Sequence, residues 1–246
     1  MRTLELKTIT DKTCSEAIAR FGLERKLDAW KRPKDVYKKI QQLTRERDQI
    51  VDARVVVKNQ LHAELSEAEP HLNSLKRLKS RIKFLTSQEK EIKKDIDLMI
   101  SEDVLIANEI KIISSIPGVG KLTAAIVLAE TNGFELIRNK KQLVSYAGLD
   151  IQEKQSGTSV KGKAKISKKG NKHLRKAMHL PSLVAIKRNK QFKEIYVRLV
   201  SKSGIKMKGV VAVQRKLLEL IFILFKNKCI YEKNHEECKM QRELVH

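Results

Sequence analysis

Apolar residues recur at spacings of three, four and seven along residues 34–112, and this spacing constrains the fold more than any other feature. Arg47 and Arg54 occupy intermediate positions in the first run, and Pro70 separates the two runs. A heptad pattern of this kind places apolar side chains on one helix face, so the segment predicts two long helices in a hairpin. The runs consist of Val36, Ile40, Leu43, Ile50, Val57 and Leu61, then of Leu75, Ile82, Leu85, Ile92, Ile96 and Met99.

The heptad pattern leaves two arrangements open. The helices can pack against each other as a spacer within one chain. Alternatively, the same seam can join two chains in a coiled coil and produce a homo-oligomer. Lys and Glu fill the other helix faces, and they fit both arrangements.

Positive charge is concentrated in one part of the chain. The sequence has 52 Lys and Arg against 29 Asp and Glu, a formal net charge of +23. Residues 154–216 contain nineteen Lys or Arg and a single acid, Glu194, and therefore carry 18 of those net charges. A polyanion such as DNA or RNA, contacted through its phosphates, is the indicated partner. Aromatic residues make up only 4%, which disfavours a single-strand binder built on base stacking.

The cysteines and the apolar runs indicate the compartment. Cys14, Cys229 and Cys238 form no CxxC pair, which predicts a reducing, cytoplasmic setting. The start of the sequence lacks the apolar run of a signal peptide, and residues 217–225 are too few to span a membrane. A zinc site of Cys229, His235 and Cys238 is disfavoured, because three unevenly spaced ligands do not complete a tetrahedral set.

A glycine-rich turn opens the segment that follows. Residues 114–125 read SSIPGVGKLTAA. This pattern predicts a helix-hairpin-helix, in which the tight turn lets the next helix offer free N–H groups to a DNA phosphate. The alternative is an ordinary turn between helices. Further on, the pattern predicts a helix over 140–146, short strands near Ile151 and Val160, and helices from about residue 172.

Five blocks in order resemble one known family. They are SIPGVG with TAA and LAE (115–130), YAGL (146–149), QSG (155–157), SKKGN with LRKA (167–177) and RKLL (215–218). These blocks resemble the IS110 insertion-sequence transposases, with their IS116 and IS902 relatives. The resemblance covers roughly residues 10–231.

The resemblance implies a DNA transposase that recombines DNA through a covalent phosphoserine. The serine of the QSG block corresponds to Ser156, and a serine oxygen that attacks a phosphodiester can hold a strand until it is exchanged. The family also implies an RNase H-like N-terminal domain with four Mg²⁺-binding carboxylates, a coiled coil, and a structured non-coding RNA as second partner.

The expected DNA contacts combine the glycine-rich turn with the basic loop that follows it. Lysines near Ser156 either stabilise charge on the scissile phosphate or simply bind the backbone. The predicted contacts are Gly118, Gly120, Lys121, Thr123, Lys154, Lys161, Lys163, Lys165, Lys168, Lys169, Asn171 and Arg175.

The N-terminal residues depart from the family pattern. In the block that resembles TDxxDA, Asp11 matches a family carboxylate, but Cys14 stands where the last aspartate is expected. Asp11 is thus both a predicted catalytic residue and the predicted metal ligand. Two further carboxylates should precede this block, so we expect an N-terminally truncated chain with a doubtful Mg²⁺ site.

These observations predict a mainly α-helical protein. The expected parts are a remnant of an RNase H-like α/β domain (1–33), a coiled-coil arm (34–112), a DNA-binding transposase domain with a helix-hairpin-helix (113–233) and a charged tail (234–246). The alternative function is a non-catalytic nucleic-acid-binding protein that dimerises through its coiled coil.

Overall fold

The computed structural model describes residues 10–25, 32, 34–135, 137–152, 155–156, 160–161 and 165–232. The described residues are mainly helical, which confirms the predicted fold class. The chain divides into two compact units, Met1–Pro33 and Lys34–His246. The first unit contains α1 (Asp11–Glu24), which begins with a capping box: the Thr10 hydroxyl accepts a hydrogen bond from the backbone N–H of Thr13 at 3.2 Å.

The second unit contains all the other described helices and strands. Its helices are α2 (Asp35–Leu65), α3 (Leu72–Glu102), α4 (Val104–Ser114), α5 (Lys121–Thr131), α6 (Lys140–Tyr146), α7 (Lys172–Arg188), α8 (Lys190–Ser203) and α9 (Lys206–Asn227). Four two-residue strands lie between α6 and α7: β1 (Ile151–Gln152), β2 (Gln155–Ser156), β3 (Val160–Lys161) and β4 (Lys165–Ile166). Strands therefore occur at both predicted places, and α6 has the predicted bounds.

Helices α2 and α3 form an antiparallel hairpin, here called the arm. The predicted seam residues are all buried or half-buried within the chain, and Val57 and Ile96 are among the most buried. Arg47 and Arg54, which interrupt the seam, both contact Glu89 of α3, at 3.2 and 2.5 Å. The charged interruptions are therefore one half of a buried ion-pair cluster between the two helices.

Short polar side chains set where several helices begin. Asp103 caps α4 by accepting hydrogen bonds from the backbone N–H groups of Leu105 and Ile106. Asn139, Asn171 and Asn189 cap α6, α7 and α8 in the same way. Each side-chain oxygen satisfies an N–H group that a helix start leaves without an internal partner.

The core of the second unit lies among α4, α5, α7 and α9. Its most buried side chains, each 1% exposed or less, include Ile113, Leu128, Met178 and Leu217. Phe134, after α5, packs edge-on against Phe222 of α9, with ring centroids 5.4 Å apart. None of the described helices combines the length and the apolar character that a membrane crossing would need. The core fixes α5 and α7 relative to each other, and the candidate site lies on these helices and on the described residues between α6 and α7.

Candidate nucleic-acid interface

The turn between α4 and α5 contains the predicted contacts Gly118 and Gly120. Gly118 has φ +98°, and an added Cβ would lie 3.0 Å from the carbonyl oxygen of Pro181 and 3.1 Å from Cβ of Val184. Both neighbours belong to α7. Gly118 is therefore required by the backbone conformation and by close packing of the turn against α7.

Helix α5 starts directly after this turn. Gly120 and Lys121 are exposed and Thr123 is half-buried, and no side chain among the described residues caps the first turn. Exposed N–H groups at a helix start suit a phosphate oxygen. The ammonium group of Lys121 lies 2.7 Å from Asp97 of α3, so this lysine also ties α5 to the arm.

Three residues from three sequence blocks form a closed ring of hydrogen bonds. The amide group of Asn171 donates to the carboxylate of Glu130 at 2.6 Å. The backbone N–H of Asn171 donates to the carbonyl oxygen of Tyr146 at 2.8 Å. The hydroxyl of Tyr146 donates to the carbonyl oxygen of Glu130 at 2.8 Å. The LAE, YAGL and SKKGN blocks, separate in sequence, thus meet at one place.

The YAGL and SKKGN blocks are also joined along their backbones. The backbone N–H of Lys168 donates to the carbonyl oxygen of Gly148 at 3.1 Å. The guanidinium of Arg175 donates to the carbonyl oxygen of Ala147 at 2.8 Å. Gly148 has φ +65°, and an added Cβ would lie 2.7 Å from Nη1 of Arg175. Arg175, a predicted DNA contact, is therefore already hydrogen-bonded to the protein backbone.

Several exposed lysines lie within the SKKGN block or next to it in sequence. Lys165, Lys168, Lys169 and Lys172 are all exposed, and together they are called the lysine surface here. An open pocket adjoins it and is lined by Gln142, Ser145, Tyr146, Lys169, Gly170 and Asn171. Positive side chains beside a helix start and an open pocket provide the donors that a nucleic-acid backbone requires.

Ser156 lies in β2, in the segment between the YAGL and SKKGN blocks. Next to the first pair of strands, the hydroxyl of Ser167 donates to the carboxylate of Asp150 at 2.5 Å. The first ladder pairs Ile151 of β1 with Ile166 of β4, and a second, separate ladder pairs Ser156 of β2 with Val160 of β3. Lys161 lies opposite Gln155 in the second ladder. The predicted contacts Lys154 and Lys163 lie outside the described residues.

The carboxylate of Glu130 joins the three-residue ring to the arm. Its side chain is fully buried, and Arg45 of α2 donates to its two oxygens at 2.8 and 2.9 Å. Gln41 donates to the same carboxylate at 3.2 Å. Burial by itself would raise the pKa of Glu130, but the hydrogen bonds from Arg45 and Asn171 outweigh it and lower that pKa below its ordinary value.

A second polar contact joins the arm to α7. The ammonium group of Lys176 lies 3.0 Å from Asp52 and 3.7 Å from Asp48, both on α2. His173 lies 3.7 Å from Asp48. The first turns of α7 are therefore bordered by the lysine surface and by acidic side chains of the arm.

The predicted metal ligand Asp11 lies in the first unit. It is the exposed first residue of α1, and its backbone carbonyl accepts a hydrogen bond from the Ser15 hydroxyl at 2.8 Å. No cluster of three or more His, Cys, Asp or Glu that could hold a metal ion occurs among the described residues. A single exposed carboxylate does not fit Mg²⁺, which needs several oxygen ligands. Cys229 is half-buried, while His235 and Cys238 lie outside the described part of the chain.

The sequence analysis missed the role of Glu130 and of its partners on α2. One signal was present, because Glu130 ends the apolar run LTAAIVLAE and an acid on a buried helix needs partners. Nothing in the spacing of Arg45 or Gln41 identifies them as those partners. They lie 85 and 89 residues away in sequence, a distance that only the tertiary fold bridges.

Comparison with known proteins connects these blocks to a family. The model of the transposase IS116/IS110/IS902 family matches residues 110–197, a span that includes Glu130, Tyr146, Ser156 and Asn171. The chain is therefore similar to this transposase family over residues 110–197. The match begins within α4 and ends within α8, so the arm residues that bind Glu130 lie outside it.

Curated relatives extend the similarity along the chain. The pilin gene-inverting protein of Moraxella bovis is 25% identical over 237 residues, covering 96% of this chain and 72% of the relative. That of Moraxella lacunata has the same identity and coverage. The insertion element IS110 uncharacterized 43.6 kDa protein of Streptomyces coelicolor is 27% identical over 121 residues, 49% of this chain and 30% of the relative. The first two names describe a DNA rearrangement, and the third a mobile element.

Proposed function

We propose that this chain binds DNA through the lysine surface and the start of α5, and that it recombines DNA by means of Ser156. The observation that carries the proposal is that Ser156 lies in the chain segment between β1 and β4, and this pair of strands begins next to the Asp150–Ser167 bond and the lysine surface. A protein that binds phosphates at the lysine surface can hold a phosphodiester near the segment that contains Ser156.

The proposed step is a transesterification. The Ser156 oxygen attacks phosphorus and loses its proton, while the bond from phosphorus to one sugar oxygen breaks and that oxygen takes up a proton. One phosphoester bond forms as another breaks, so the reaction consumes no external energy. Attack by a different sugar hydroxyl then releases the serine and joins the new strand.

Positive side chains supply the electrostatic part of the proposal. Lys154, Lys161, Lys163 and Lys165 surround Ser156 in sequence and are proposed to bind the phosphates on either side of the reacting one. Fixed donors aimed at oxygens that gain charge lower the barrier to such a transfer. The described residues by themselves do not fit a Mg²⁺ site, and no step here depends on one.

A structured RNA is the second proposed partner. The lysine surface recognises phosphates, which DNA and RNA share, so the same charges serve either polymer. Competition experiments address this proposal: an RNA transcribed from the DNA flanking the gene should displace duplex DNA more effectively than an unrelated RNA of equal length.

Self-association through the arm is also proposed. Val55, Val56 and Phe84 are 49, 56 and 61% exposed on the arm, whereas Val57 is buried inside it. A dimer would therefore use the outer face of the arm. Sedimentation of the unaltered chain and of Val56→Lys tests this: a monomer in both would reject self-association.

The catalytic proposal is tested by trapping the covalent intermediate. The chain is incubated with duplexes that span the ends of its element, with and without Mg²⁺ and the flanking RNA, and is then resolved on a denaturing gel. An adduct should form, disappear with Ser156→Ala and persist with Ser159→Ala, the neighbouring serine in the sequence. An adduct that survives Ser156→Ala would remove Ser156 as nucleophile.

The non-catalytic alternative is favoured by one observation, the lack of a carboxylate cluster among the described residues. In that case the unaltered chain would bind DNA with the usual steep salt dependence but form no adduct under any condition. DNA binding without an adduct therefore distinguishes the two functions.

A further inference from the structure

Glu130 connects three parts of the second unit: the arm, α5 and the start of α7. It lies on α5, its carboxylate is bound by Arg45 and Gln41 of the arm, and it accepts a hydrogen bond from Asn171 at the start of α7. Four donor atoms from three side chains therefore converge on two oxygens. A buried carboxylate is costly unless its oxygens are paired in this way.

Asn171 transmits this arrangement to the lysine surface. Its side-chain oxygen caps α7 by accepting from the backbone N–H of Leu174 at 3.0 Å. Its side-chain nitrogen is held by Glu130, and its backbone N–H by Tyr146. A residue restrained at all three groups fixes the chain just before it, which carries Lys168 and Lys169.

We propose that Glu130 is a positioning residue that fixes the Lys168–Lys169 segment and the start of α7 relative to the arm. In this arrangement the phosphate-binding groups are preorganised before nucleic acid arrives. The inference rests on the proposed function for the partner that these lysines bind. It assigns a role to a buried side chain that touches no DNA itself.

The negative charge of Glu130 matters as well as the shape of its side chain. Both oxygens of Glu130 accept hydrogen bonds, so an amide of the same size would present an NH₂ group to at least one N–H donor. Glu130→Gln therefore breaks the network while leaving the volume unchanged. Adding Asn171→Asp should restore the contact between positions 130 and 171, because the introduced amide can donate to the introduced carboxylate, which still caps α7, while Nε of Arg45 keeps its bond to the remaining oxygen.

Glu89 provides a matched control. It is also buried, and it is bound by Arg47, Arg54 and Lys93. These residues all belong to the arm, and the ion pairs described for them end on Glu89 and Asp48, which also lie in the arm. Glu89→Gln thus removes a buried paired charge without altering the connection to the lysine surface.

The test combines two measurements on the full chain with Glu130→Gln, Glu89→Gln and Glu130→Gln/Asn171→Asp. Amide hydrogen exchange follows the backbone at 146–149 and 167–174, and titration of duplex DNA at several salt concentrations follows binding. Glu130→Gln should accelerate exchange in both segments roughly tenfold, the loss expected for a charged hydrogen bond. Its DNA affinity should fall by about the same factor, and the double variant should recover part of both losses.

Each outcome decides one part of the inference. Equal exchange in Glu130→Gln and Glu89→Gln at these segments would overturn the positioning role, as would a double variant that recovers neither property. Absence of salt-dependent binding by the unaltered chain would overturn the proposed function instead. Hydrogen exchange would then still decide whether Glu130 fixes the Lys168–Lys169 segment.

Discussion

Arg45 and Glu130 form a two-point ion pair between the arm and α5, with Nε 2.8 Å from Oε1 and Nη2 2.9 Å from Oε2. The carboxylate is fully buried, whereas the guanidinium remains partly exposed. Water can therefore solvate the arginine but cannot replace it at the carboxylate. The pair makes the position of the arm depend on a residue of the family-matched region.

Removal of the arginine should be costly. Arg45→Met leaves a buried charge with weaker partners, so we expect the free energy of unfolding in urea to fall by roughly 3 kcal/mol. Lys216→Met is the matched control, because Lys216 pairs with Glu219 at the surface and such pairs contribute about 0 to 1 kcal/mol. Similar small losses in both variants would show that the Arg45 pair does not stabilise the fold.

Low pH should reduce the stability that the ion pairs of Glu89 give to the arm. Burial alone would raise the pKa of Glu89, but hydrogen bonds from Lys93 and Arg54 lower it to about 2 from the ordinary 4.5. A lowered folded-state pKa means that this stabilisation is complete above about pH 4.5 and is lost as the pH falls towards 2. Urea unfolding at pH 6 and pH 3 measures the loss. Glu89→Gln should reduce the difference between the two pH values by about 2 kcal/mol, and an unchanged difference would contradict the assignment.

Gly148 should tolerate no side chain. Gly148→Ala would place a Cβ 2.7 Å from Arg175 and 3.1 Å from the Lys168 backbone at φ +65°, so both strain and collision oppose it. Gly204→Ala has φ +68° but no neighbour within 4 Å, and it should cost only the backbone strain of about 1 kcal/mol. Thermal unfolding should therefore show a clearly larger loss at position 148. Equal losses would mean that the YAGL and SKKGN backbones are not closely packed.

Charge reversal should show whether DNA binds to the lysine surface or to the arm. Lys168→Glu/Lys169→Glu removes two proposed phosphate contacts, so the slope of log affinity for duplex DNA against log salt should become shallower by about 2. Lys76→Glu/Lys79→Glu changes the same charge on exposed residues of α3 and should alter that slope much less. A larger effect from the α3 pair would move the interface to the arm.

The local patterns of the sequence determined much of the fold. Heptad spacing predicted the two helices of the arm because it reflects the period of a single helix, and the short strands near Ile151 and Val160 followed from loop composition. The family blocks likewise gave the region of the candidate site. All of these signals come from residues close together in sequence.

Tertiary structure decided how those blocks are joined. Arg47 and Arg54 look like defects in an apolar seam until Glu89 is found opposite them on α3. Asn171 and Lys168 look alike in sequence as polar loop residues, yet Asn171 caps a helix and holds Glu130, whereas Lys168 is exposed. Sequence spacing records the period of one element, but the partner of a buried charge is selected by packing between elements distant in the chain.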